Sequence, residues 1–262
     1  MKKNANTQNS TVTTTVNRTA LTAAELAKRV EAAHMGNYRN DDDNFQHLEI
    51  ADVTLENKSL RRAEFHYTKF ADVNFVGVDF DGAEFRYAEF ENVNFTQCRI
   101  ENGTFDFAKM SNVKFTECAM RNSTFDFAAG SAEFDRCGLE NAEFHHSALK
   151  LAMKRCSARG VEISYNAPEG QSVDAENCDF HRSEFCDGVY RGTMKSCIFT
   201  DGDFSGSNAR ALSFVGCRMR DVSSSGSCGI RVESEDDDDD DIELDIDLES
   251  GSDNDDDSEL PY

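Results

Sequence analysis

Cysteine and histidine are the side chains of this sequence best suited to nucleophilic or metal chemistry, and their spacing indicates what they do. Seven of the nine cysteines recur every 19 to 22 residues, at Cys98, Cys118, Cys137, Cys156, Cys178, Cys197 and Cys217. A zinc site needs thiolates that converge on one point, and this even spacing offers no such convergence. We therefore expect buried, structural thiols.

Histidine forms one compact cluster, in which His145 and His146 follow Glu143 closely. The sequence has no glycine-rich phosphate loop, no nucleophile elbow and no His-Glu-X-X-His zinc motif. We expect no enzyme here, and the sequence indicates no catalytic residues, no cofactor and no metal ligands.

The charge excludes further classes of function. The 262 residues include 50 acidic and 27 basic ones, a formal net charge of −23. Direct binding to nucleic acid needs an excess of lysine and arginine, so we do not expect it. No apolar run reaches membrane-spanning length, and the first residues lack the apolar core of a secretory signal.

A period of five residues dominates the middle of the chain. A large apolar residue stands at every fifth position, in the series Leu55, Leu60, Phe65, Phe70, Phe75, Phe80, Phe85, Phe90, Phe95, Ile100, Phe105, Met110, Phe115, Met120 and Phe125. A small residue stands two positions before most of them, as at Ala63 and Val73. This period fits neither an α-helix nor an ordinary strand.

The pattern resembles the pentapeptide-repeat family, whose consensus is close to Ala-(Asp/Asn)-(Leu/Phe)-X-X. Segments that match it directly are 63–65, 73–75, 83–85, 88–90 and 142–144. The resemblance implies an all-β fold, a right-handed quadrilateral β-helix with four five-residue faces per coil. The large residue and the small one before it then point inward. A 20-residue coil also accounts for the spacing of the cysteines.

The chain divides into four predicted parts. Residues 1–21 form a disordered leader. Residues 22–47 form an N-terminal helix and cap, in which the capping box Thr22 to Glu25 opens a helix from about Ala23 to His34. Its apolar side, Leu26, Val30 and Ala33, is expected to cover the first coil. Residues 48–222 form about eight and a half coils, with an insertion loop over about residues 164–174. Residues 223–262, with a net charge of −16, form a disordered acidic tail.

One face of the predicted coil collects the negative charge. We call this set the acidic face: Glu64, Glu84, Asp106, Asp126, Glu143, Glu162, Glu184, Asp187 and Asp203. Arg86 is the one basic residue assigned to the same face, whose net charge of −8 equals that of the whole repeat region, residues 48–222.

An outward row of aromatic residues runs along the same face at the spacing of the coil. This aromatic column consists of Tyr67, Tyr87, Phe107, Phe127, His146 and Tyr165. An exposed apolar stripe is typical of an interface. Stacking of the rings on one another is the alternative explanation, and the sequence leaves both open.

The tail contains one alternating segment with apolar residues at Ile242, Leu244, Ile246 and Leu248. Strict alternation is typical of a strand, and such a segment resembles motifs that add a strand to a partner's sheet. The alternative is a tail that serves only solubility.

Two functions follow from these features. The resemblance to quinolone-resistance members implies a non-enzymatic DNA mimic, whose acidic face occupies the DNA-binding surface of a protein partner such as DNA gyrase in the cytoplasm. The alternative is a secreted effector or adaptor that binds a host protein through the aromatic column and the tail, with residues 4–15 as a secretion leader. Neither function requires a membrane, and both a monomer and a homodimer remain open.

Overall fold

The computed structural model describes residues 18–35, 45–165, 170–229 and 231–233. Fifteen strands and one helix are assigned within these residues. In chain order they are β1 Thr19–Ala20, α1 Ala23–Met35, β2 Leu48–Ala51, β3 Thr54–Glu56, β4 Lys69–Ala71, β5 Asn74–Val76, β6 Glu89–Thr96, β7 Lys109–Thr116, β8 Ala129–Asp135, β9 Ala148–Lys154, β10 Gln171–Glu176, β11 Val189–Lys195, β12 Ile198–Thr200, β13 Asn208–Val215, β14 Arg218–Arg220 and β15 Arg231–Glu233.

All strand pairs are parallel, and each strand pairs with the chain one coil away. Four bridge positions recur at intervals of five residues in the same coil: Thr54↔Asn74, Ser59↔Asp79, Glu64↔Glu84 and Lys69↔Glu89. Four sides and a 20-residue repeat therefore confirm the predicted all-β solenoid. No helix among the described residues has the length and apolar composition to cross a membrane.

The interior is filled by columns of identical side chains. Phe65, Phe85, Phe105, Phe125 and Phe144 stack with ring centroids 4.7–4.9 Å apart. That distance is the spacing of hydrogen-bonded strands, so each ring packs directly on the equivalent ring of the next coil. The small residues two positions earlier, such as Ala63 and Ala83, are also buried.

The seven regularly spaced cysteines form one of these internal columns, as predicted. All seven are buried and none forms a disulfide. Cys118, for example, donates its thiol hydrogen towards the carbonyl oxygens of Phe95 and Thr116, each 3.4 Å away. The thiols therefore fill a buried column and direct their hydrogens to backbone carbonyl oxygens.

The corners of the coil require backbone torsion angles in the left-handed region. Asn102, Asn122 and Asn141 occupy one corner with φ of 56° at each. Asparagine tolerates this conformation, and its amide also links the coils. Asn122 Nδ2 donates to Asn102 Oδ1 at 3.3 Å, and Asn141 Nδ2 donates to Asn122 Oδ1 at 3.2 Å.

Coils of 19 residues fit against coils of 20 by shortening one side. The register of β8 against β7 shifts between Met110 and Val113. Gly130 lies at this shift with φ of 113°, and a Cβ there would stand 1.8 Å from the Met110 carbonyl oxygen. Only glycine permits this approach of the two backbones.

The N-terminal end is capped by helix α1, as predicted. The Thr22 amide donates to Glu25 Oε2 at 2.9 Å, and the Glu25 amide donates to Thr22 Oγ1 at 3.2 Å, which forms the capping box. Leu26 and Val30 are buried in the core. The predicted disordered leader extends too far, because Thr19–Ala20 already pairs with β2.

Two further boundaries differ from the sequence expectation. The insertion predicted over residues 164–174 is shorter, since strand β10 begins at Gln171 and pairs with β9 and β11. The tail predicted from residue 223 begins later, because Ser223 bridges to Asp203 and β15 pairs with β13. Residues 234–262 lie outside the described residues.

We expect Phe125→Ala to lower the free energy of unfolding by about 3–5 kcal/mol, because it removes a fully buried ring from the internal stack. The matched control is Phe127→Ala, two residues away, whose ring is 49% exposed; we expect it to cost about 1 kcal/mol. Urea titration followed by circular dichroism measures both. Equal losses would contradict an interior in which every coil is filled.

Candidate partner-binding face

The coil register brings eight of the nine residues of the acidic face onto one side of the solenoid. Six of them precede the central apolar residue of their coil and lie in a single bridged column that also contains Thr104 and Thr124: Glu64, Glu84, Glu143, Glu162, Glu184 and Asp203. Asp106 and Asp126 follow the central residue of their coils. Asp187, with φ of 48°, lies instead at the corner occupied by the aromatic column.

Carboxylates at the N-terminal end of this face have polar or cationic partners. Gln46 Nε2 donates to Glu64 at 2.5 Å. His66 Nε2 lies 2.9 Å from Glu84 Oε2, and Arg86 Nε lies 3.8 Å from Asp106 Oδ2. The negative charge of these first coils is therefore partly compensated within the chain.

The remainder of the face is different. We call Asp126, Glu143, Glu162, Glu184 and Asp203 the C-terminal acidic row. Within the described residues, the ion pairs of these five carboxylates involve a single side chain, His145. Its Nε2 lies 3.3 Å from Glu162 Oε2 and 3.8 Å from Glu143 Oε2. Sequence reasoning counted histidine as neutral and missed both His66 and His145 as partners of these acids.

Crowding within this row changes the proton affinity of its members. Burial raises the pKa of Asp126, Glu143 and Glu184, and neighbouring carboxylates raise each of them further. Burial alone would also raise the pKa of Asp203, but hydrogen bonds from the Ser205 hydroxyl and amide lower it overall. A row of acids that repel one another favours the approach of a cationic group.

The aromatic column is a continuous stack. From Tyr67 to His146, neighbouring ring centroids are 4.7–4.9 Å apart and the rings are parallel to within 15°. His47 extends the stack at one end, 5.0 Å from Tyr67, and Tyr165 ends it 5.5 Å from His146. The same 20-residue spacing would have identified His47 in the sequence.

Stacking does not hide this column from solvent. Tyr87, Phe107, Phe127 and Tyr165 remain 41–54% exposed. The faces of the inner rings are covered by neighbouring rings, so it is mainly ring edges that point outward. The column thus combines self-stacking with an exposed apolar stripe, the two interpretations that the sequence left open.

The backbone conformation of the residues in the aromatic column is unfavourable in free energy. Tyr67, Tyr87, Phe107, Phe127 and Tyr165 all have φ between 50° and 61°. Bulky residues rarely adopt this conformation, and the other corners place mainly asparagine, aspartate, arginine and glycine there. Ring stacking offsets part of the strain, at about 0.5–1.5 kcal/mol per pair.

The two surfaces adjoin, since Asp106 and Asp126 directly precede Phe107 and Phe127 in the chain. They form one surface with an apolar edge and a negative side. The tail motif at Ile242, Leu244, Ile246 and Leu248 lies outside the described residues.

The profile described as "Pentapeptide repeat region" matches residues 48–125 and, in an overlapping alignment, residues 68–144. Among solved structures, HetL of the cyanobacterium Nostoc, a pentapeptide repeat protein involved in heterocyst differentiation regulation, is 13% identical over 79% of this chain and 94% of that one, with a TM-score of 0.29. Full-length QnrB1, a plasmid-mediated fluoroquinolone resistance protein, is 18% identical over 72% of this chain and 93% of its own, with a TM-score of 0.30. No curated protein matches the sequence.

We expect Glu184→Gln to raise the thermal midpoint at neutral pH. The raised pKa of Glu184 means that the folded state binds its proton more tightly, so stability falls as pH rises through the window between the unfolded and folded pKa values. The gain should disappear below about pH 4, where the carboxyl is protonated in both states.

Asp203→Asn is the matched control, because it removes the same charge one coil away. Its lowered pKa means that Asp203 stabilises the fold when ionised, an effect that is lost as pH falls through its folded pKa. We expect this variant to lower the midpoint at neutral pH. If calorimetry showed equal shifts of the thermal midpoint with the same sign for both variants, the change in net charge alone would explain them, and the prediction would be wrong.

Proposed function

We propose that this chain, in which the pentapeptide-repeat profile matches residues 48–125 and 68–144, is a non-enzymatic, cytoplasmic protein-binding rod whose acidic face occupies the basic, DNA-binding surface of a DNA-handling protein such as a type II topoisomerase. The observation that carries this proposal is the C-terminal acidic row, in which five carboxylates stand in successive coils and, within the described residues, only Glu143 and Glu162 have an ion-pair partner, His145.

Spacing supports the comparison with DNA. The row presents one carboxylate per coil, at the ring spacing of about 4.8 Å that the solenoid imposes. One strand of duplex DNA carries a phosphate every ~3.4 Å along the axis. The linear charge density of the row is thus somewhat lower than that of one DNA strand but of the same order, and the hydrogen-bonded coils fix the spacing of the carboxylates.

Binding rather than catalysis fits the shape of the solenoid. A catalytic site needs a concave, water-excluding pocket. The interior of the coils is occupied by stacked phenylalanines such as Phe105 and Phe125. The carboxylates of the acidic face and the rings of the aromatic column lie on the outer surface, where they are suited to binding a partner.

The first experiment measures displacement of labelled duplex DNA from a purified type II topoisomerase. The test variant carries four amides: Asp126→Asn, Glu143→Gln, Glu162→Gln and Glu184→Gln. Exposed ion pairs are each worth about 0.5 kcal/mol, so losing four should weaken displacement about 30-fold. The salt dependence should weaken as well, because fewer counterions are released.

A control with the same charge change uses carboxylates that are paired on the other faces. Its substitutions are Glu91→Gln, Glu101→Gln, Glu133→Gln and Glu176→Gln, which disrupt ion pairs with Lys69, Arg99, Lys114 and Lys154. This variant should displace DNA like the parent chain. Equal weakening of both variants, or failure of the parent chain to displace DNA, would reject the DNA mimic.

The second candidate is an adaptor that binds a host protein through the aromatic column, and the exposed rings favour it. Replacing Tyr87, Phe107 and Phe127 with serine should abolish such binding with little dependence on salt. Ile198→Ser is the control, because Ile198 is 43% exposed but lies outside the column. Affinity capture from host-cell lysate with quantitative mass spectrometry compares them, and partners retained by the triple variant would exclude the column.

A further inference from the structure

His145 has an environment that no other histidine of the acidic face has. In its own column, Asp126 lies one coil before it and Ser164 one coil after it. Glu143 lies beside it in the same coil and Glu162 beside it in the next coil. Three carboxylates and one hydroxyl thus surround a single imidazole.

Distances show that three of these groups converge. One ligand atom each from Asp126, Glu143 and His145 lies within 4.8 Å of the other two. The fourth group, Glu162, places Oε2 3.3 Å from His145 Nε2. Ligand atoms around a tetrahedral zinc ion stand about 3.3–3.5 Å apart, so a bound ion requires the side chains of Asp126, Glu143 and Glu162 to rotate towards a common point.

The second ring nitrogen is already held. His145 Nδ1 lies 2.5 Å from the Ser164 hydroxyl, and Ser164 is only 5% exposed. The backbone amide of His145 also donates to Asp126 Oδ1 at 3.0 Å. Histidine ligands are characteristically oriented through a hydrogen bond at the nitrogen that does not touch the metal. Here that bond directs Nε2 towards Glu143 and Glu162.

From this convergence we propose that Asp126, Glu143 and His145, with Glu162 as a fourth ligand, form a binding site for a divalent cation of the zinc class. One imidazole nitrogen with carboxylate oxygens suits zinc and cobalt, whereas magnesium and calcium prefer oxygen ligands alone. The site does not depend on the proposed function, because it follows from the side chains of three successive coils. A bound cation would also relieve the repulsion that raises the pKa of Asp126 and Glu143.

His66 shows what the same position looks like without these features. It occupies the same column near the N-terminal end and lies 2.9 Å from Glu84. Its neighbours one coil before and after are Gln46 and Arg86, in place of Asp126 and Ser164. A guanidinium beside the imidazole disfavours a cation, so His66 supplies a matched control on the same molecule.

The test titrates the metal-free full chain with zinc by calorimetry and with cobalt by visible absorption at neutral pH. The parent chain and His66→Ala should each show one strong zinc site, with magnesium at least about tenfold weaker. His145→Ala and Glu143→Gln should each weaken the strong site about tenfold or more. Circular dichroism confirms that the variants are folded.

Three outcomes would overturn the site. The first is equal zinc affinity in the parent chain and His145→Ala, which would place the metal elsewhere. The second is magnesium binding as tight as zinc binding at that site, which would show that the cation is attracted only by the acidic surface charge. The third is a cobalt–thiolate absorption band, which would assign the metal to a cysteine.

Discussion

The spacing of about 4.8 Å between hydrogen-bonded coils is the constraint on which the rest of this molecule depends. Parallel backbone bonds such as Phe65 N to Glu84 O at 2.7 Å set that spacing. Every side chain then has an equivalent neighbour directly above and below it. Inside, this selects flat rings that stack and small residues that leave room for them. Outside, it turns any residue type repeated every coil into a continuous row.

That repetition explains why chemistry on the surface comes in columns. A carboxylate repeated in successive coils is forced close to its equivalents. Burial raises the pKa of Glu143 and Glu184, and the neighbouring carboxylates raise it further. An aromatic ring repeated at the same spacing forms a stack instead. The aromatic column is the more informative case, because Phe107 and Phe127 occupy backbone conformations that asparagine or glycine would adopt at lower cost. Stacking of the rings offsets part of this cost, and the ring edges that remain exposed form the apolar stripe at the surface.

The sequence predicted the fold because its period of five resembles the pentapeptide repeat, and that resemblance implies a quadrilateral β-helix. Counting in steps of 20 also assigned eight of the nine residues of the acidic face to the side on which they lie, whereas Asp187 lies at the corner of the aromatic column. The same counting gave the stacked rings from Tyr67 to Tyr165 but omitted His47. The sequence did not predict the strands whose pairing depends on the backbone and not on the side chains. Strands Thr19–Ala20 and Arg231–Glu233 pair through the backbone edge of a neighbouring coil, and neither segment carries the repeat. Residues 171–174, the first part of strand β10, were likewise assigned to a loop, because the phase of the repeat is lost just before them.

The role of His145 was beyond sequence counting for a different reason. The coil from Asp126 to His145 has 19 residues, and His145 takes the position in its column that Asp126 holds one coil earlier. The imidazole there contacts Glu143 and Glu162 of the neighbouring column. Its contacts depend on distances across two columns, which periodicity does not report. The same geometry divides the face into two parts. In its first coils His66 contacts Glu84 and Arg86 contacts Asp106. In the C-terminal acidic row, the ion pairs among the described residues are those of Glu143 and Glu162 with His145. A basic partner gains most where the chain has not already neutralised its own charge. Under the proposed function, this favours recognition in the C-terminal half of the rod, beside Phe127 and Tyr165, where the apolar stripe is most exposed.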